Sequence, residues 1–219
     1  MFGLKRFFSR DGNSHALPAA VQAALEAWHQ QPTPSRDDLH YHTRYVVVDV
    51  SVGGHDPASD PILGIAAVAV RHGAVSGEDA CFVDLAVNDA DAMAEQLAAF
   101  LAFIDHDPLV AFNETFVSTA LQRILKAGLG EAFEAPWIDL AWLLPAMFEE
   151  HYDTVAPLDV WLEAFGLESS SERRNAMANT LMVARVFQQL LVRAVARSAD
   201  TPARLLEEAK ASRHLLRSY

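Results

Sequence analysis

The sequence predicts an α/β fold: a mixed sheet of three antiparallel strands and then parallel strands, flanked by helices. Two observations carry this expectation. Three strand-like runs follow one another between residues 45 and 87, joined by short polar loops, which is the pattern of an antiparallel meander. Beyond residue 92, helical periodicity alternates with short apolar strands, an order that places helices on the faces of a sheet.

The elements follow in order. Residues 16–31 are rich in Ala, Leu and Gln, with Val21, Leu25 and Trp28 at helical spacing, and Gln31-Pro32-Thr33-Pro34-Ser35 ends that helix. Tyr45-Val46-Val47-Val48-Asp49-Val50 is a continuous run bounded by Gly53-Gly54, as expected of a central strand covered on both faces. Ile62–Val70 is a second strand, Arg71-His72-Gly73-Ala74 a turn, and Ala80–Val87 a third, half-exposed strand. Ala92–Ile104 presents Met93, Leu97, Phe100, Leu101 and Ile104 on one side of a helix, and Pro108–Phe112 is a short buried strand. Thr115–Ala127 is a helix closed by Gly128. Trp137–Leu140 is a fifth strand leading into a helix near Trp142-Leu143-Leu144. Leu158–Phe165, stopped by Gly166, is a short helix, Asn175–Arg197 is the longest, and Pro202–Leu216 is the last. The expected organisation is an N-terminal helical extension over 1–42, a domain over 43–198 and a C-terminal helix over 199–219.

Composition narrows the function classes. The 219 residues carry a formal net charge of −12, which disfavours a protein that must neutralise a phosphate backbone. The charge is uneven: residues 172–219 hold nine Lys/Arg against four Asp/Glu, leaving a basic C-terminal segment on an acidic body. A single cysteine, Cys81, excludes an intramolecular disulfide and a cysteine-based zinc site. No apolar stretch reaches the roughly 18–20 residues that span a bilayer. No secretory core follows Met1–Phe8, so a cytoplasmic setting is expected. His40, His42, His55 and His72 lack metal-ligand spacing and are expected on loops.

Four segments carry the chemistry. Arg173-Arg174-Asn175-Ala176-Met177-Ala178-Asn179-Thr180 opens the longest helix, Asp49-Val50-Ser51-Val52-Gly53-Gly54 closes the first strand, and Ile62–Val70 follows. Leu109-Val110-Ala111-Phe112-Asn113-Glu114-Thr115-Phe116-Val117 links a short strand to a helix. Their order and content resemble the DEDDh 3′–5′ exonucleases, which include the epsilon-type proofreading subunits of bacterial replicative polymerases. That family has Asp-x-Glu-Thr-Thr-Gly after the first strand, His-Asn followed by Phe-Asp at the later strand–helix junction, and His-x-Ala-x-x-Asp-Ala on the last helix. Here Asp49, Gly54, Asn113, Phe116 and Ala176 match, while Ser51, Val117, Arg174 and Asn179 stand where the family has Glu, Asp, His and Asp. The resemblance spans about Arg44 to Leu191 and implies a ribonuclease-H-like fold. Trp137-Ile138-Asp139-Leu140 and Leu158-Asp159-Val160-Trp161 resemble its framework segments.

In the family, two metal ions held by four carboxylates generate the attacking hydroxide, and the His acts as general base. Ser51 offers only a hydroxyl, Val117 offers nothing, and Asn179 offers a neutral carbonyl oxygen. Arg174 has no lone pair to accept a proton and adds a fixed cation. Each unit-charge interaction at ~4 Å and an effective dielectric of ~20 is on the order of 4 kcal/mol, so the lost anions weigh heavily. The expected protein is therefore a degenerate exonuclease without intact catalytic residues or a resident cofactor. It would bind a protein partner or single-stranded nucleic acid. Magnesium or manganese would enter only with residual activity, Asp49 then being its ligand. Arg173, Arg174, Asn113 and Phe116 are the candidate nucleic-acid contacts; Arg185 and Arg193 would extend them into a basic stripe, but are expected first as ordinary exposed helix positions. An Arg174–Asp49 ion pair would supply the missing counter-charge. Two other readings stand beside this one: a metal-dependent 3′–5′ exonuclease with an altered or relocated site, for instance on Asp49, Glu114 and Asp139, and a regulatory module dimerising through its terminal helices.

Overall fold

The computed structural model describes residues 16–86, 89–168 and 175–216. Its centre is one five-stranded sheet: β1 (Arg44–Val52), β2 (Ile62–Arg71), β3 (Ala74–Asp84), β4 (Leu109–Ala111) and β5 (Trp137–Asp139). The spatial order is β3-β2-β1-β4-β5. β1 pairs with β2 and β2 with β3 antiparallel, whereas β1–β4 and β4–β5 are parallel, the mixed topology expected from the sequence.

Alternation along β1 divides the core in two. Val46, Val48 and Val50 point into a layer made with α1 (Ala19–His29), α2 (Ala90–Ile104) and α3 (Glu114–Leu129). Tyr45 and Val47 point into the opposite layer, built with α4 (Leu140–Met147), α5 (Leu158–Ala164), α6 (Ala176–Ala196) and α7 (Pro202–Leu216). Helix α1 joins the first layer through Val21, Leu25 and Trp28, and the Trp28 indole N–H donates to the carbonyl of Asp105 at 3.2 Å.

Three boundaries differ from expectation for physical reasons. Strand β3 begins at Ala74 rather than Ala80, because Ala74 and Val75 pair with Arg71 and Val70 across the turn; the polar residues 76–79 form an irregular stretch of this edge strand before pairing resumes at Ala80. Val87, expected to end that strand, lies outside the described residues. Helix α3 runs through Gly128 and ends at Gly130, whose φ of 75° is the left-handed cap; a Cβ at Gly128 would meet Leu97 at 2.5 Å. His40, expected on a loop, is only 6% exposed in a short 3-10 turn, His40–His42.

Asp139, at the end of β5, fastens two helices. Its Oδ1 accepts from Asn113 N–H at 3.0 Å, at the start of α3, and from Ala141 N–H at 3.0 Å, in the first turn of α4. Both helix N-termini thus direct their unpaired donors at one buried carboxylate. Burial raises the Asp139 carboxyl above its usual value, and these backbone bonds oppose the rise. Asp139→Ala is expected to lower unfolding stability by about 2–4 kcal/mol, two lost caps plus stranded donors, with Asp139→Asn losing less. Urea unfolding of both variants measures it, and equal stability of Asp139→Ala and wild type would contradict the clamp.

Candidate functional site

The sequence-matched positions are set on the sheet face covered by α6. Asp49 and Ser51, two residues apart on β1, share that face with Tyr45 and Val47. The register sets Asp49 opposite Ala66 and Ser51 opposite Gly64 on β2. Asn175 caps α6, its side-chain oxygen accepting from Met177 N–H at 3.0 Å and Ala178 N–H at 3.4 Å. One turn later, Asn179 and the fully buried Thr180 face the sheet; the Thr180 hydroxyl donates to Ala176 O at 2.8 Å and lies 3.5 Å from Ala66 O.

Asp49 and Asn179 meet: their side chains are hydrogen-bonded. Burial is the main influence on the half-buried Asp49, lifting its carboxyl from 3.8 to about 6, while bonds from the Val50 backbone and the Asn179 side chain pull the other way. Arg174, expected as the partner of Asp49, lies with Arg173 outside the described residues. The Ser51 hydroxyl makes a long 3.5 Å contact to Gly64 O.

The positions on α3 behave differently. Val117 is 1% exposed and belongs to the apolar layer of α2 and α3, not to the Asp49 face. Phe116 is half-buried against the same layer. Asn113 is exposed, with φ 68°, and its backbone N–H is held by Asp139. Glu114 Oε2 lies 3.6 Å from Arg213 on α7. Asp49, Glu114 and Asp139 do not come together as a ligand set; among the described residues no three His, Cys, Asp or Glu side chains are grouped to hold a metal ion.

The basic stripe is also corrected. Arg185 is exposed on α6, but Arg193 donates to Met147 O at 2.8 Å, pairs with Glu150 and lies 5.2 Å from the Phe148 ring. It caps the C-terminus of α4. Arg197 joins it there through Ala146 O at 2.6 Å and Glu149 at 2.9 Å. The sequence did not reveal these roles, because their partners lie more than forty positions away.

The raised Asp49 value has a definite sign. The folded state holds this proton more tightly than the unfolded chain, so the favourable contribution is complete below pH 3.8 and is lost as pH rises through about 6. Asp49→Asn is expected to stabilise the protein by about 2 kcal/mol at pH 8, with the gain vanishing below pH 4. Thermal unfolding across that range checks it; a gain independent of pH would contradict a desolvated carboxyl.

The sequence matches no protein-family model and no curated protein. Similar folds do occur among solved structures. Exonuclease I of E. coli in complex with a dT13 oligonucleotide has a TM-score of 0.50 at 17% identity, covering 72% of this chain and 43% of that one. Another exonuclease I structure has a TM-score of 0.52 at 16% identity, covering 75% and 42%. Cell-death related nuclease 4 has a TM-score of 0.50 at 12% identity, covering 71% and 66%. This chain therefore spans less than half of exonuclease I. At these identities the likeness establishes architecture: the chain has the ribonuclease-H-like α/β fold of these nucleases.

Proposed function

We propose that this chain is a non-cleaving protein of the exonuclease fold, in which residues 43–198 form the exonuclease-like unit and the surface at the end of β1 docks a partner. The observation that carries the reading is the donor set. Hard divalent ions take carboxylate oxygens, and among Asp49, Ser51, Val117 and Asn179 only Asp49 has one. That carboxyl bonds to an uncharged amide, and Val117 packs in an apolar core. These residues do not fit the metal pair of the family that the motifs resemble. Loss of clustered carboxylates removes like-charge repulsion, so fold and stability do not depend on the chemistry.

Charge favours a protein partner. The chain carries −12, and the guanidinium groups of Arg44, Arg193, Arg197 and Arg213 are engaged by carboxylates within the molecule. Single-stranded nucleic acid is the second reading, supported by the likeness to exonuclease I bound to an oligonucleotide. The motif spacing within this fold favours an epsilon-like ancestry.

The decisive assay uses a 3′-labelled single-stranded oligonucleotide with magnesium or manganese. The expected outcome is no shortening above a chelated control. Shortening that a chelator stops, and that Asp49→Ala abolishes, would establish the altered-site exonuclease instead. For binding, fluorescence anisotropy against salt separates the two partner classes. Nucleic-acid binding requires affinity that falls steeply with salt, and Arg173→Ala and Arg174→Ala should each reduce the slope by roughly one phosphate contact.

A further inference from the structure

The ring of His40 joins its own 3-10 turn to two other parts of the chain. Its Nε2 lies 2.7 Å from Ala199 O in the connection between α6 and α7, and its Nδ1 lies 2.6 Å from the Tyr45 hydroxyl on β1. A carbonyl oxygen only accepts, so Nε2 carries the proton, and Nδ1 accepts from the Tyr45 O–H. The neutral ring satisfies both partners. The backbone adds two ties: His40 N–H donates to Asp200 O at 3.1 Å, and Ala203 N–H at the start of α7 donates to Arg36 O at 2.9 Å. Tyr45 is fully buried and sits edge-on to Phe187 of α6, its centroid 5.0 Å away.

The far end of α7 reaches the candidate site. The Ser212 hydroxyl donates to Trp142 O at 2.5 Å, and Arg213 lies 3.3 Å from the Thr115 hydroxyl and 3.6 Å from Glu114. Helix α7 is thus fixed at its root by His40 and rests its tip on the first turn of α3, beside Asn113 and Phe116.

We infer that His40 is a proton-sensitive latch for the C-terminal helix: neutral, it holds α7 down, and protonated, it releases α7 from β1 and frees the first turn of α3 from Arg213. A proton on Nδ1 would face the Tyr45 hydroxyl proton, donor against donor. The hydroxyl's other neighbour is Thr43, which donates to Leu39 O at 3.1 Å. The new cation would also be buried. The charged groups that answer it are few: Asp200 in the α6–α7 connection attracts it, but Asp200 already pairs with Arg204 of α7 at 3.4 Å. Burial outweighs the Ala199 bond and Asp200, holding the imidazole below its usual 6.5. Closure is therefore fully supported above pH 6.5 and weakens as pH falls toward the lower folded value.

Hydrogen exchange of the full chain tests the latch without reference to any nuclease or binding activity. After correction for intrinsic exchange, the opening of residues 202–216 is expected to rise as pH drops from 7.5 to 5, by up to about tenfold per pH unit below 6.5. Residues 62–71 of β2 should not follow. His40→Gln, which cannot titrate here and keeps a donor for Ala199, should remove the dependence. Tyr45→Phe should weaken the pH dependence, because Nδ1 loses the donor that favours its neutral form and the closed-state ring then takes up a proton more readily. Unchanged protection of 202–216 in wild type over this range overturns the latch, as does equal pH dependence in His40→Gln. If His40→Gln does not fold, the weakened dependence in Tyr45→Phe and an NMR titration of the His40 ring decide. An undiminished dependence in Tyr45→Phe, or a ring that titrates at 6.5 with α7 still protected, overturns it.

Discussion

Side-chain alternation along β1 is the constraint on which both halves of the molecule depend. Each successive residue faces a different layer of helices, so Val46, Val48 and Val50 seal one core while Tyr45 and Val47 seal the other. Asp49 and Ser51 interrupt the second series at the end of the strand, where apolar cover thins. A carboxyl there must be hydrated, neutralised or bonded. This chain supplies an amide, Asn179, carried to the spot by the first turns of α6. The site is thus a solution to desolvation before it is anything else, and an amide solves it without bringing the anions that a divalent ion would require.

Most of the fold was legible because periodicity and punctuation agree along the chain. The β-branched run at 45–50, the helical stripe at 93–104 and the terminal helix at 202–216 lie where their patterns place them. Polar residues 76–79 look like a loop, yet they lie within edge strand β3 as an irregular stretch, because Ala74 and Val75 on one side and Ala80 on the other are paired to β2. Gly128 looks like a helix stop but is a close-packing position against Leu97, and the stop is Gly130. In the site, Asp49 and Asn179 were legible as motif positions. Their bond to each other follows from register and helix placement, which no local pattern encodes. Val117 shows the opposite: its side chain declares it apolar, and the structure assigns it to the α2–α3 core.

Charge follows the same logic of distant partners. Arg193 lies on a helix face where the sequence allows a basic stripe, but it and Arg197 meet the terminal carbonyls of α4 and the acids that follow it. Arg44 similarly bonds Asp107 at 2.5 Å and contacts Asp79 at the sheet's edge, where Arg71 also pairs with Asp79. Long cationic side chains on an acidic body thus stitch elements together, and the net charge remaining at the surface is negative.

The carboxylate that gathers the starts of α3 and α4 has a mechanical consequence for recognition. Two helices whose first turns bond one carboxylate are restrained from tilting separately, so the surface they share is set before any proposed partner arrives. A guest meeting it forfeits little disorder on the host's side, and selectivity there comes from shape fixed during folding rather than from accommodation on arrival.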